Sequence, residues 1–308
     1  MLYPIGVQSF AEIIEKKNVY VDKTHLLYRL ISQGKYYFLS RPRRFGKSLL
    51  LSTMEAYFTG KKDLFANLAI GKLEKEWKGY PVLHFDLNAK KFDSFDDLYD
   101  LIGRQLERYE QKYVTEAVDK SLDGRFYNLI MTIAEMTKKQ VVILVDEYDK
   151  PLLQAIGNEK LQDTYRETLK AFYGVIKSCD SQIRFAFLTG VTKFGKVSVF
   201  SDLNNLDDIS MDAAYFDICG ISQPELELYF DEAIENLAQA NNLTKQQTYE
   251  LLRSEYDGYH FCENVPGIYN PFSVLSTFRK NSFDNYWFET GTPTYLVELL
   301  KKSEFQLD

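Results

Sequence analysis

Four short runs rich in apolar residues punctuate the chain: 36–39 (YYFL), 82–87 (VLHFDL), 141–145 (VVILV) and 183–188 (IRFAFL). Each has the length of a strand. Between them lie amphipathic patterns at 94–118, 124–138 and about 160–178, each with the 3.6-residue period of a helix. A shorter helical pattern runs from Leu49 to Phe58, where Gly60 can end it, and another from Lys23 to Ser32, with Asp22 as a candidate cap. Strands alternating with helices predict a parallel sheet with helices on both faces. Five consecutive branched residues, Val141 to Val145, predict a central strand buried on both sides.

Beyond these, Ala214-Tyr215-Phe216-Asp217-Ile218-Cys219 reads as a fifth strand. Ser222-Gln223-Pro224-Glu225 follows as a capping box, in which a hydroxyl and a carboxylate satisfy orphan N–H groups at a helix start. The pattern is then helical to about Ser254 and resumes in short helices up to Lys302. A boundary near 221 divides a core, residues 1–221, from a small helical or winged-helix lid, residues 222–308.

Candidate chemistry begins at the end of the first strand. Ser40-Arg41-Pro42-Arg43-Arg44-Phe45-Gly46-Lys47-Ser48 stands between that strand and a helix, as the back half of a phosphate-binding loop does. N–H groups at such a helix start point at an anion, and the helix dipole adds positive charge there. Lys47 would reach the outer phosphates and Ser48 would sit on Mg²⁺. The full pattern, G-x-x-x-x-G-K-[ST], places its first glycine at 41, where this chain has Arg41. The buried strand roughly 100 residues later ends in Asp146-Glu147, where open α/β sheets bind ligands. Asp146 suits a Mg²⁺ shell completed by phosphates and waters. Glu147 suits a base or positioner for attacking water. The fold class is therefore α/β, a P-loop NTPase sheet of the additional-strand class.

Composition narrows this reading. A net charge of −7 argues against coating nucleic acid by bulk electrostatics. Three widely spaced cysteines, Cys179, Cys219 and Cys262, suggest neither a disulfide framework nor a zinc site and fit a reducing cytoplasm. The start lacks the charged and apolar regions of a secretory leader, and no apolar run approaches membrane-spanning length. The expected location is cytoplasmic. The 22 Tyr and 22 Phe read as packing residues rather than as a stacking surface.

The runs YVDKT (20–24), FLSRPRRFGKSLLLS (38–52), VVILVDEYDKPL (141–152), FLTGVTKFGKVSVFSDLNNLDDIS (187–210), DGYHF (257–261), YNPFS (269–273) and YWFETGTPTYLVELL (286–300) resemble the prokaryotic AAA-ATPase-like family over nearly the whole chain. The resemblance implies an ATP- and Mg²⁺-dependent module, and it accounts for Arg41, which stands in that family where the first glycine is expected. Longer members append a PD-(D/E)xK nuclease-like domain. This chain stops at Asp308, before such a domain. A nuclease-like domain or separate effector is thus the expected partner, with no autonomous nucleic-acid binding. Glu147-Tyr148-Asp149-Lys150 has a superficial likeness to a nuclease signature, but its place after a buried strand favours the acidic Walker B reading.

Several residues keep two readings. Arg41, Arg43 and Arg44 either pair with phosphate oxygens or with surface carboxylates. Thr189 and Thr192 either sense a terminal phosphate or cap the chain, Thr189 being preferred as the sensor. Phe45 and Leu49 flank the loop and complete the expected nucleotide contacts with Arg43, Arg44, Gly46, Lys47, Ser48 and Thr189. Lys193, Lys196 and Ser198 face the crevice or lie in a solvated loop. His84 reads as structural, His25 as a weak candidate for the adenine edge, and His260 as packing or a phosphate contact from the lid. Trp77 and Trp287 read as packing anchors. Three functions remain: an ATPase, a nucleotide-dependent switch with little turnover, and a component of nucleic-acid processing that needs the nuclease-like module.

Overall fold

A computed structural model describes residues 2–113, 119–193, 196–201, 203 and 205–287. The expected short helices up to Lys302 fall outside the described residues after 287. In chain order the elements are α1 (Phe10–Glu15), α2 (Thr24–Gln33), β1 (Tyr36–Ser40), α3 (Lys47–Phe58), α4 (Ala69–Leu73), β2 (Val82–Asp86), α5 (Phe95–Tyr113) and α6 (Leu122–Thr137). Then follow β3 (Val141–Asp146), α7 (Lys150–Gln154), α8 (Glu159–Ser178), β4 (Ile183–Gly190), α9 (Lys196–Val199) and β5 (Asp207–Asp208). The last helices are α10 (Gln223–Tyr229), α11 (Asp231–Ala240), α12 (Lys245–Tyr256) and α13 (Pro271–Lys280).

By internal contacts the described chain forms two compact units, one of residues 2–33, 41–78 and 208–287, the other of residues 34–40 and 79–207. The second unit holds the sheet. Its strands lie in the order β2-β3-β4-β1-β5, and β1 to β4 are parallel. β4 therefore lies between the strand that enters the loop sequence and the acidic strand. All six residues of β3 are buried, as its branched run predicts. Parallel register aligns the carboxyl ends: Asp86 pairs with Asp146, Val145 with Leu188, Leu39 with Thr189 and Ser40 with Gly190. One main core lies against this sheet, where Phe85, Phe126 and Phe172 from β2, α6 and α8 meet ring to ring. Between α5 and α6, Arg125 grips Glu110 with two hydrogen bonds of 2.9 and 2.7 Å, so both charges are satisfied beneath the surface.

In the first unit, α3 ends as its sequence suggests. Gly60 takes a positive φ of 77°, Lys61 N–H donates to Ala56 O and Gly60 N–H to Tyr57 O, a Schellman closure. Asp22 accepts from the N–H and hydroxyl of Thr24 at the start of α2, and its other oxygen accepts from Ala69 N–H at the start of α4. One carboxylate thus caps two helices.

Two expectations fail here. The stretch 214–219 is not a strand. Asp212 caps the turn by accepting from Ala214 N–H, residues Ala213–Tyr215 form a 3-10 helix, and the fifth strand is Asp207–Asp208 instead. Nor is 222–254 one helix. It breaks at Phe230 and again at Asn241-Asn242, where Asn242 has a positive φ and a second capping box, Thr244 with Gln247, restarts the chain. The capping box at Ser222 and Glu225 forms as read. Beyond α12 the described C-terminal segment holds α13, and two isolated antiparallel bridges join Ile221 with Tyr269 and Tyr259 with Ile268.

Candidate nucleotide site

The loop after β1 is built around two buried side chains. Arg41 is 1% exposed; its guanidinium donates to the carbonyls of Ser210 (2.7 Å), Tyr215 (3.2 Å) and Phe216 (3.3 Å). It also lies 3.9 Å from the centroid of the Phe261 ring. Phe45, also 1% exposed, sets its ring edge-on to Tyr259 and Phe261 at 4.6 and 5.4 Å. Its carbonyl accepts from Gly220 N–H. The contacts that Arg41 makes here are with backbone carbonyls and an aromatic face.

Between these anchors Arg43 and Arg44 are exposed. Arg44 has a φ of 70° and sets its guanidinium 4.7 Å from the Phe272 ring. Gly46 takes a φ of 94°, a left-handed turn open to glycine, and accepts from Leu50 N–H to start α3. Lys47 is 4% exposed, and its ammonium donates to the carbonyls of Arg41 (3.0 Å) and Pro42 (3.4 Å). Ser48 and Leu49 follow on the first turn of α3. The structure thus brings Arg43, Arg44, Phe45, Gly46, Lys47, Ser48 and Leu49 together on one helix-starting turn.

Beside this turn is a cavity of about 110 Å³. Phe45, Gly46, Leu49 and Leu50 form one wall, residues 19–21 a second, and residues 218–221 with Pro271 a third. The cavity is mainly apolar, and Lys23 at its edge is neutralised by Glu225 at 2.5 Å. The sequence reading assigned no role to Val19, Tyr20, Val21 or Lys23; the YVDKT run was the signal. His25 is exposed on α2 and outside this lining, and His260 is exposed with Nδ1 3.4 Å from Val265 O.

In the sheet unit, the ends of β3 and β4 are stitched together. Thr189, fully buried, donates its hydroxyl to Asp146 Oδ1 at 2.7 Å. Tyr148 N–H donates to Thr189 O. Asp149 accepts from the N–H groups of Val191 (3.1 Å) and Thr192 (2.7 Å) and from the Thr192 hydroxyl (2.8 Å). Thr192 is therefore engaged by Asp149. Gly190 is required here, since a Cβ would stand 2.9 Å from Asp149 Oδ1 and collide with the Tyr148 ring. Glu147, between the two aspartates, has a φ of 57°, a conformation that costs a non-glycine residue about 1 kcal/mol or more and that clusters at functional sites. Lys196 packs over the Phe38 ring at 5.0 Å. The backbone of His84, in β2, exchanges hydrogen bonds with the Tyr109 hydroxyl.

Among the described residues, no group of three or more His, Cys, Asp or Glu is placed to hold a metal by itself. A Mg²⁺ ion held by one carboxylate and one hydroxyl would complete its shell with phosphate oxygens and waters. One oxygen of Asp146 is fixed by the Thr189 hydroxyl. Also among the described residues, no helix is long and apolar enough to cross a membrane.

A parallel sheet of this order, with a Gly-Lys-Ser turn following its first strand and an acidic end on its buried strand, defines a P-loop-like α/β protein. Residues 4–200 match the family described as Predicted AAA-ATPase, and the chain belongs to that family. It is 40% identical over 298 residues to a protein of Azotobacter chroococcum mcd 1 described as "Uncharacterized protein in vnfD 5'region". That match covers 96% of this chain and 55% of the relative, so the chain spans little more than half the length of that protein. No solved structure matches.

Burial, and then the neighbouring charge of Glu147, raise the Asp149 carboxyl from 3.8 to about 6, against the three donors that favour its ionised form. Between those two values the folded protein binds more protons than the unfolded chain. This group's stabilising contribution is thus full below pH 4 and is lost as pH rises through 6. A carboxyl-carbon NMR titration should give Asp149 a midpoint near 6 that Glu147→Gln lowers. A midpoint at or below 4 would contradict the account.

Proposed function

We propose that this chain is the nucleotide-binding module of a Mg²⁺-dependent P-loop ATPase. The observation that carries the reading is the turn at Gly46. A left-handed glycine opens a 12-residue helix, and the next residue's ammonium is buried against the carbonyls of its own loop. Phosphate oxygens would take that ammonium and the N–H groups of the first turn. Arg43 and Arg44, exposed on the loop, would add charge-assisted contacts. The apolar cavity beside Gly46 suits the faces of a base. Adenine is preferred, because the sequence has no guanine-reading Asn-Lys-x-Asp.

The order of motifs along the sequence assigns Asp146, Glu147 and Thr189 to the same nucleotide. Ser48 and Asp146 would hold Mg²⁺, which supplies charge neutralisation at the phosphates when bound. Glu147 would accept a proton from the water that attacks the terminal phosphoryl group, and Lys47 would stabilise the charge that develops there. Thr189 would hold the Asp146 carboxylate in place. Residues from 222 onward would act as a lid whose position follows the nucleotide and controls an effector or nuclease-like domain. The length of the Azotobacter relative leaves room for such a domain in that protein.

A second reading is a switch that binds nucleotide and turns it over little. It draws on Arg41: the position where the full pattern has glycine is locked by a buried side chain, which restricts how the loop can wrap the phosphates.

Lys47→Ala should weaken Mg·ATP binding at least about tenfold, or about 1.4 kcal/mol, by calorimetry; equal affinity would remove this loop from consideration. Glu147→Gln should retain ATP binding and abolish phosphate release in a turnover assay. Hydrolysis at the wild-type rate in that variant would sink the role of Glu147. A wild-type protein that binds tightly and releases no phosphate would establish the switch instead.

A further inference from the structure

The end of β3 is tied to its neighbours on either side of one residue. Before that residue, Asp146 O accepts from Leu87 N–H at 3.1 Å, and Asp146 Oδ1 accepts the Thr189 hydroxyl. After it, Tyr148 N–H donates to Thr189 O at 2.9 Å, and the Tyr148 ring is buried against Phe38 and Phe200. Asp149, fully buried, then takes the N–H groups of Val191 and Thr192 and the Thr192 hydroxyl on its two oxygens. The residue between these anchors is Glu147, with its φ of 57°.

A residue with a Cβ keeps a left-handed backbone only where its surroundings over-determine it. On the far side of Glu147 one bond from Tyr148 and three to Asp149 do so. Lys150 N–H closes the turn onto Glu147 O at 3.0 Å. Asp149 stands at the N-cap of α7, where an aspartate ordinarily caps its own helix, yet it makes no side-chain cap bond there. Its carboxylate is given over to the 191–192 turn instead.

We propose that Asp149 is a positioning residue: by binding the 191–192 turn it holds Glu147 in the left-handed conformation from which the Glu147 carboxylate meets the attacking water. This rests on the reading of Glu147 as proton acceptor given above. The hold on the Glu147 backbone is open to test without nucleotide.

Asp149→Asn leaves one acceptor oxygen and sets an amide NH₂ against N–H donors. Glu147→Gly and Glu147→Gln both remove the carboxylate, and only glycine accepts a positive φ without strain. With Asp149 in place, the Glu147→Gly variant should unfold at a higher urea concentration than Glu147→Gln. In the Asp149→Asn background that order should vanish or reverse, because glycine then keeps only its entropic cost. The same glycine advantage in both backgrounds would overturn the proposal. In a turnover assay Asp149→Asn should lower kcat at least about tenfold, within what a misplaced general base forfeits, while calorimetry gives unchanged affinity for Mg·ATP. Wild-type kcat in a folded Asp149→Asn protein would also overturn it. Thr192→Val, which removes one of the three bonds to Asp149, serves where Asp149→Asn does not fold; the glycine advantage should shrink in that background, and an unchanged advantage would overturn the proposal. Hydrolysis at the wild-type rate by Glu147→Gln would instead sink the reading of Glu147, and the urea comparison would still decide whether Asp149 sets its backbone.

Discussion

A guanidinium withdrawn from water must have acceptors for its N–H groups, or it costs several kcal/mol. The Nη1 and Nη2 groups of Arg41 meet that demand with three backbone carbonyls contributed by residues 210, 215 and 216, beside the face of Phe261. The local shape of the first unit follows from this requirement. Residues 209–216 must present carbonyls rather than pair as a strand, and they form two 3-10 turns with Asp208 and Asp212 as caps. The DGYHF segment must lay an aromatic ring against the same charge. The loop itself must start from a fixed point, which leaves its next three residues to adapt. A glycine at 41 would leave those carbonyls and that ring without their partner.

The sheet unit shows the complementary solution for negative charge. Asp146 and Asp149 are both buried, and each is met by donors from β4 and the residues after it: a threonine hydroxyl for the first, two N–H groups and a hydroxyl for the second. The sequence VDEYD is therefore half of a structure whose other half is LTGVT, 40 residues away by loop and helix. Glu147, between the two, sits in a left-handed turn and is only partly buried.

How much of this was legible depended on whether the determining contacts were local. The strands declared themselves through branched apolar runs, and the ends of α3 and α10 through Gly60 and the Ser222 capping box. The helix-starting turn at Gly46 was legible because glycine, lysine and serine adjoin in sequence. Residues 214–219 were misread because an apolar run does not reveal that Arg41 takes its carbonyls. The break at 241–244 was overlooked because asparagine at positive φ and a Thr-x-x-Gln cap end a helix less visibly than glycine or proline. Asp149 and Arg41 rest on partners between 42 and 175 positions distant, and the cavity wall from residues 19–21 is completed by residues 218–221. No window of sequence contains them.

The central claim is that arginine at 41 is a structural requirement of this loop rather than a decayed glycine, and Arg41→Gly tests it most directly by restoring the full phosphate-loop pattern. Thermal unfolding and Mg·ATP calorimetry on that variant should show a protein destabilised by about 3 kcal/mol or more, the scale of breaking a buried charged network, and weaker in nucleotide binding. A variant as stable as the wild type that binds Mg·ATP equally well or better would contradict the account.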